Sequence, residues 1–449
     1  MATSLHRVSE YLQRILGERS LRELEWQLEP KHDDPAPKVP LGIHFTQESI
    51  ERRWALLQSG KRSREALLDS QTMAYMEPYE RNIENFIGTL KIPVGLAGPL
   101  RVNGLFAQGD YYIPLATTEA ALVASYNRGA QMISEAGGCT AMLLNEGISR
   151  VPGFAFRNLR EAGRFVVWTL NQRNAIKRVA EATTTYGKLA DIHVTVEGNH
   201  VYLDFEFTTG DAAGQNMVTI ATEAICAYIR ARSPIPPLLS FGEANLSGDK
   251  KASARAFLSV RGRKVTAEIT VPGDLVRRRL HTSPAQMVEC WRMSAIGGIL
   301  SGTIGIQGQY ANGLAALFIA CGQDAGCVAE SAMGVTRLEQ TSDGLYAAVT
   351  LPNLVVGTVG GGTGLPSQQA CLNILGLAGP GKAPAFSEVC TALLLAGELS
   401  IIGALCAGEF ARAHQRLARD RVNAKHNSHA TRNEVDHEAP DRTLVEVSG

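Results

Sequence analysis

Apolar positions along the chain change their period several times. Val8, Leu12, Ile15 and Leu16 recur at helical spacing, which predicts an amphipathic helix within residues 1–29. KHDDPAPKVPLG then reads as a linker, and two further helical patterns span roughly 46–69. IGTLKIPVGLAGPLRVNG reads as short strands broken by Gly and Pro. From Thr117 the period is helical again, in TTEAALVASYNRGAQMISEAGG. Thr117 is the expected N-cap and Gly137–Gly138 the expected stop. That places Glu119 in the first turn of a buried helix, with Ser125 and Arg128 sharing a face.

Residues 152–240 have a different texture. A helix from Leu159 to about Ala182 precedes two alternating strands, DIHVTVEG and HVYLDFEF, joined by a Gly-Asn turn. A second helix from Asn216 to about Arg232 follows. Strands and helices in this alternation predict a compact α+β insert. The loop GEANLSGDKKAS comes next, then expected strands ARAFLSVRG and KVTAEITVP and several long apolar helices. The most apolar run, Thr391–Gly408, contains Glu398 and reads as a buried core helix, so no membrane span is expected. The expected division is an N-terminal helical region (1–83), a large domain (84–151 and 254–420), a small domain (152–240), a connecting loop (241–253) and a flexible tail (421–449).

Forty-four basic residues balance 44 acidic ones, so no global field points to nucleic acid or an anionic membrane. An anionic ligand must then be held by a local basic cluster. Eight cysteines lie mostly inside apolar stretches and none forms a C-x-x-C pair. They read as core residues in a reducing compartment, with no metal site. The first twenty residues lack the apolar region of a secretory signal, and a cytoplasmic location is expected.

Several residues could carry chemistry. Glu119, among Leu, Ala and Val, reads equally as a helix N-terminal charge or as a general acid. GDKK, Gly248–Lys251, places two lysines in a loop between domains, where one could stabilise an oxyanion. GDAAGQNM, Gly210–Met217, puts small residues just before a helix, where backbone amides could approach a phosphate. GTVGGGTGLP, from Gly357, permits close backbone approach. Asp324 follows a very apolar helix on which Asn312 and Gln323 fall nearly on one face, and His414 sits on a basic helix.

In order and spacing, ENFIGTLKIPVGLAGPL, PLATTEAALVASYNRG, GDAAGQNM, GDKK, IACGQDA, GTVGGGTGLPSQQACLNILG and the late His414 resemble the 3-hydroxy-3-methylglutaryl-CoA reductase family, closer to its eukaryotic and archaeal class. The resemblance runs from about Glu84 to Arg419. It implies an α+β fold: an N-terminal helical region and a large helical-core domain carrying an inserted small ferredoxin-like cofactor-binding domain. It implies a homodimer or dimer of dimers with shared active sites, and reduction of hydroxymethylglutaryl-CoA to mevalonate by two hydride transfers. Under it Lys250 is the cation at the reacting oxygen, Glu119 the proton donor, Asp324 the residue that holds Lys250, and His414 the acid for the departing CoA thiolate.

Binding residues follow from the same resemblance. Ser125, Asn127 and Arg128 match the CoA segment, and Arg150, Asn245, Asp249, Lys251 and Asn312 match positions around the hydroxymethylglutaryl group. Asp211, Ala213, Gly214, Gln215 and Asn216 match the nicotinamide cofactor loop. Three departures stand out. Glu243 occupies a position where the family has a serine. Arg292 is the nearest replacement for an absent carboxylate-binding lysine. Thr184 and Thr185, followed by Tyr186, stand where the family places a Ser-Arg pair on the cofactor 2′-phosphate. NADPH and NADH both remain expected, and a related acyl-CoA or carrier-bound acyl thioester is the second expected substrate class.

Overall fold

The computed structural model describes residues 4–411 and 415, apart from 18, 33–35, 43 and 58. The chain forms two compact units, 1–89 and 90–449. In the first, the single expected N-terminal helix is two, Leu5–Leu16 and Leu21–Leu28. Gly17 turns out of the helix at φ 48°, and Ser20 starts the next one through a reciprocal capping box with Glu23. Downstream, the two expected helices are Gln47–Ala55 and Lys61–Leu67, and Asp69 caps a further one (Ser70–Ala74) by accepting the Thr72 N–H at 2.8 Å. A small core of Phe45, Ile50, Trp54, Leu68 and Phe86 holds this unit together.

Among the described residues, the second unit is built on ten strands: β1 (Val94–Gly104), β2 (Gln108–Ala116), β3 (Cys139–Arg150), β4 (Gly153–Ala155), β5 (Lys188–Glu197), β6 (His200–Thr208), β7 (Leu239–Phe241), β8 (Gly262–Pro272), β9 (Val335–Gln340) and β10 (Gly344–Leu354). The main path runs β7-β4-β6-β3-β8-β10-β9, with β1 joining β2 and β3, and β5 joining β6. β3 links the two halves of the sheet. Its first part pairs with β1 and β8, whereas Ile148–Arg150 pair with Phe205–Phe207 of β6. Arg150 therefore emerges at the seam.

Beyond that seam, β4, β5, β6 and β7 lie in the order β7-β4-β6-β5, every pair antiparallel. Helices Leu159–Asn171 and Arg173–Glu181 follow β4, and Gln215–Arg232 follows β6. This is the strand-helix-strand-strand-helix-strand succession of a ferredoxin-like unit. The one helix expected over 159–182 breaks at Gln172. ARAFLSVRG is not a strand. Ser253 accepts the Arg255 N–H and starts a 3₁₀ turn over Ala254–Phe257, Arg255 pairs with the buried Asp204, and β8 begins only at Gly262.

Helix Ala383–Cys406 forms the spine of the larger half. Among the described residues it is the one helix long and apolar enough to cross a membrane, and 83% of its most apolar window is buried inside the protein. It packs on β3, β8 and β10 and on helices Leu122–Glu135 and Tyr310–Ala320. The contact with Leu122–Glu135 is backbone on backbone: a Cβ added at Gly129 would sit 1.9 Å from the Ala396 carbonyl oxygen. Glu388, inside this helix, accepts the N–H groups of Phe106, Ala107 and Leu143 at 2.8–3.1 Å, tying the β1–β2 turn and β3 to the spine.

Candidate active site

Lys250 sits at φ 55° in the loop between β7 and β8, a backbone conformation uncommon for a residue with a side chain. Buried Glu330 fixes that conformation from below by accepting the Lys250 N–H at 3.1 Å. Lys250 Nζ lies 2.7 Å from Asp324 Oδ2, and both side chains are about two-fifths exposed. Asp324 is itself held, since its Oδ1 accepts the Gly326 N–H at 2.9 Å. Its hydrogen bond to Lys250 raises the ammonium pKa above the usual lysine range. The pair thus presents a fixed, fully protonated cation at an accessible surface.

Beneath this pair lies an ion network. Arg150 Nη1 is 2.8 Å from Asp249 Oδ2 and 3.5 Å from Glu243 Oε2. Arg261 bridges Asp249 at 2.6 Å and Glu330 at 2.5 Å, with its own side chain 2% exposed. Burial works to raise the Asp249 pKa, but Arg261 and Arg150 outweigh it and hold it below the usual range. Lys251 Nζ donates to the Asp249 carbonyl at 2.9 Å, and Asn245 N–H donates to Glu243 Oε1 at 2.8 Å. Arg150, Asn245, Asp249, Lys250, Lys251 and Asp324 are therefore assembled in one place.

Glu119 is elsewhere, and its expected setting needs correction. The helix starts at Leu122, not after Thr117, because Ala121 takes a left-handed conformation (φ 71°). The Thr117 hydroxyl accepts the Glu119 N–H at 3.0 Å in a local turn instead of capping the helix. Glu119 is exposed, not buried. It lines a cleft of about 280 Å³ with Ser125, Arg128, Gln309, Asn312, Ile401, Glu409 and Phe410. Arg128 is anchored there by donating to the Ser400 carbonyl at 2.7 Å and hydroxyl at 3.1 Å. Burial lowers its pKa from the usual arginine value. Ser125 lies 3.0 Å from the Ser400 hydroxyl, whereas Asn127 is used to accept the Gly98 N–H. Among the described residues, no hydrogen bond or ion pair links Glu119 to Lys250.

A third group surrounds Gly357. Asp211 accepts the N–H groups of Gly381 and Ala383 at 2.7 and 3.1 Å, which pins loop 210–215 against the start of the spine helix. A Cβ at Gly357 would meet Ala213 N at 2.6 Å. Gly214 (φ 80°) opens helix Gln215–Arg232, whose N-terminus has no side-chain cap. Gln215 Nε2 reaches Cys327 Sγ at 2.8 Å, and Asn216 is exposed in the first turn. Gln323 does not share a helical face with Asn312, since that helix ends at Ala320; its amide instead clamps both backbone groups of Gly357.

Four other expected site residues lie apart, in two places. Thr184 Oγ1 accepts the Tyr186 and Gly187 N–H groups, shaping an exposed turn that presents Thr185 and Tyr186. Arg292 is exposed on helix Pro284–Ser301, pairs with Glu289 at 2.5 Å and lines a groove with Trp291 and Arg337. His414 and the expected tail lie outside the described residues. Sequence reading missed Arg261, Glu330, Gln309 and Ser400; an acid flanked by apolar residues in VAESAMG was the available signal for Glu330.

Comparisons with known proteins identify the family. The family model described as hydroxymethylglutaryl-coenzyme A reductase matches residues 49–419. The 3-hydroxy-3-methylglutaryl-coenzyme A reductase of Methanothermobacter thermautotrophicus is 45% identical over 341 residues, covering 76% of this chain and 85% of that protein. The Pyrococcus abyssi protein of the same name is 43% identical over 347 residues, covering 76% and 85%. The solved structure of the Streptococcus pneumoniae reductase covers 81% of this chain and 97% of its own, with a TM-score of 0.59. At 19% identity that likeness speaks for the fold alone. Collinear motifs, shared fold and extended identity lead to one conclusion: this chain belongs to the hydroxymethylglutaryl-coenzyme A reductase family.

Proposed function

We propose that the protein reduces 3-hydroxy-3-methylglutaryl-CoA to mevalonate and CoA, with Lys250 as the cation at the reacting carbonyl oxygen. The carrying observation is the Lys250–Asp324 pair, held at 2.7 Å on a loop that a buried ion network makes rigid. A different acyl thioester is not favoured, because relatives covering three-quarters of the chain share the reductase name.

The glycine loop suits a nucleotide cofactor. The uncapped N-terminus of helix Gln215–Arg232 offers unpaired N–H groups to a phosphate. Asp211, Ala213, Gly214, Gln215 and Asn216 would hold it, with Thr184, Thr185 and Tyr186 beside the small unit's exposed turn. When bound, NADPH or NADH supplies the two hydrides of the four-electron reduction. Neither Thr184 nor Thr185 carries a charge for a 2′-phosphate, and Lys188 is 3.8 Å from Glu181, so we read the protein as accepting NADH as well as NADPH.

Lys250 stabilises the oxyanion that develops first on the thioester and then on the aldehyde. Asp324 keeps Lys250 charged and aimed. Arg150 and Lys251, with Asn245, Asp249 and Asn312, receive the acyl end; Ser125 and Arg128 receive CoA, and Asn127 shapes that segment through Gly98. Glu119 gives a proton to the aldehyde oxygen as it becomes the alcohol, and His414 gives one to the departing thiolate. We place Glu119 and Lys250 of one site on different subunits of a homodimer. Lys250 does not line the Glu119 cleft of its own chain, which supports this, as does the exposed apolar row Met293, Ile296, Ile299 and Leu300. Eight free thiols suit a reducing cytoplasm.

The test is turnover of hydroxymethylglutaryl-CoA by the purified protein, with two reduced nicotinamides consumed per CoA released. Absence of turnover with either cofactor sinks the reading. Lys250→Ala should lower kcat by about a thousandfold; full activity in that variant would overturn the role given to Lys250.

A further inference from the structure

Arg150 is the cation offered to the free carboxylate of the substrate, yet it is already occupied. Its Nη1 contacts Asp249 at 2.8 Å and Glu243 at 3.5 Å, and its side chain is 10% exposed. The two carboxylates are not equivalent. Asp249 is wedged between Arg150 and Arg261 by contacts of 2.8 and 2.6 Å. Glu243 has the longer contact and is the more exposed of the two, at 26% against 20%. Its backbone ties, from Val151 N–H at 3.3 Å and Asn245 N–H at 2.8 Å, are split between its two oxygens. Arg150 Nε is buried without a partner, so the guanidinium has a donor that nothing in the chain satisfies.

Charge balance points the same way. Four cations (Arg150, Lys250, Lys251, Arg261) meet four carboxylates (Glu243, Asp249, Asp324, Glu330) in this cluster. A fifth carboxylate, from the substrate, would leave one negative charge uncompensated beside partly buried groups, which is costly. We propose that Glu243 occupies, in the free protein, the place on Arg150 that the substrate's carboxylate takes, and turns away when substrate binds. Glu243 is then an internal competitor that sets affinity for the acyl end. This rests on the reading of Arg150 as the substrate-carboxylate partner.

Inhibition by two fragments tests it. Free 3-hydroxy-3-methylglutarate reports the acyl end, and free CoA reports the other end. Glu243→Gln should bind the diacid about tenfold more tightly and lower KM in step, while the inhibition constant of CoA stays put. Glu243→Ser, which also removes bulk, should do the same and serves if the Gln variant folds poorly. A diacid constant unmoved or weakened in a folded variant overturns the proposal. Arg150→Lys separates the two readings. If it leaves diacid inhibition untouched, the assignment of Arg150 fails; if it weakens inhibition while the Glu243 variants do nothing, only the competitor role fails.

Discussion

Replacing Asp249 by Asn removes the carboxylate shared by two guanidinium groups and measures what the ion network is worth. Arg261 is 2% exposed and Arg150 is 10% exposed, so neither charge can turn to water when Asp249 is neutralised. Removing one partner from a buried ion pair costs about 3–5 kcal/mol. Glu330 remains with Arg261 and Glu243 with Arg150, and Asn still accepts one hydrogen bond. The lower end, about 3 kcal/mol, is therefore expected. Asp249 has its pKa lowered in the folded protein, so its contribution is full above the ordinary carboxyl value of 3.8 and fades as pH falls through the depressed folded value. Urea unfolding of parent and variant at neutral pH, followed by a series descending past that value, is the assay. The deficit should be present at neutrality and shrink in acid. A neutral-pH deficit below about 1 kcal/mol, the size expected of an exposed pair, refutes the account. So does a deficit that does not change with pH.

Asp324→Asn should lower the Lys250 pKa, because their hydrogen bond is the main cause of its rise. The alkaline limb of kcat then moves to lower pH, and a pH profile superimposable on the parent's would contradict this. Gly129→Ala places a methyl 1.9 Å from a backbone oxygen of the spine helix and should cost about 3 kcal/mol in thermal or urea unfolding; parent-like stability would mean the two helices can separate freely. Thr185→Arg should raise the ratio of kcat/KM for NADPH over NADH, and an unchanged ratio would remove the exposed 184–186 turn from the 2′-phosphate site.

The sequence carried its local instructions well and its distant pairings poorly. Alternating DIHVTVEG and HVYLDFEF, with the Gly-Asn turn, foretold β5 and β6 because hairpin pairing is local. The apolar run ending near Gly408 foretold the spine helix. By contrast Arg150 finds Asp249 across 99 positions, and Arg261 finds Glu330 across 69. No periodicity encodes such partners, so GDKK showed two lysines in a loop but not the groups that support them. Family motifs located Lys250 and Asp324 without explaining why they stay in place. The start of helix Leu122–Glu135 was misjudged because Thr117 has the chemistry of a cap, while the left-handed turn at Ala121 has no residue signature.

Burial of carboxylates separates the roles of three glutamates that look alike in sequence. Glu398, on the spine helix, accepts Gly308 and Gln309 N–H groups at 2.7–2.9 Å and the Thr336 hydroxyl at 2.7 Å, and burial raises its pKa. Gln309, so held, donates to Ser125 at 3.3 Å and to the Gly397 carbonyl at 2.5 Å, while Ser400 on the same spine anchors Arg128. Glu388 performs the matching task at the β1–β2 turn. These two acids are thus acceptors for otherwise orphaned N–H groups, and through Gln309 one of them sets the wall of the cleft. Glu119, the acid expected to be buried, is the exposed one. A proton donor there needs water kept away at the moment of transfer, and its own chain does not enclose it. In the proposed homodimer, substrate and a second subunit would close over it, which is why the shared site and the proton-donor role given to Glu119 stand or fall together.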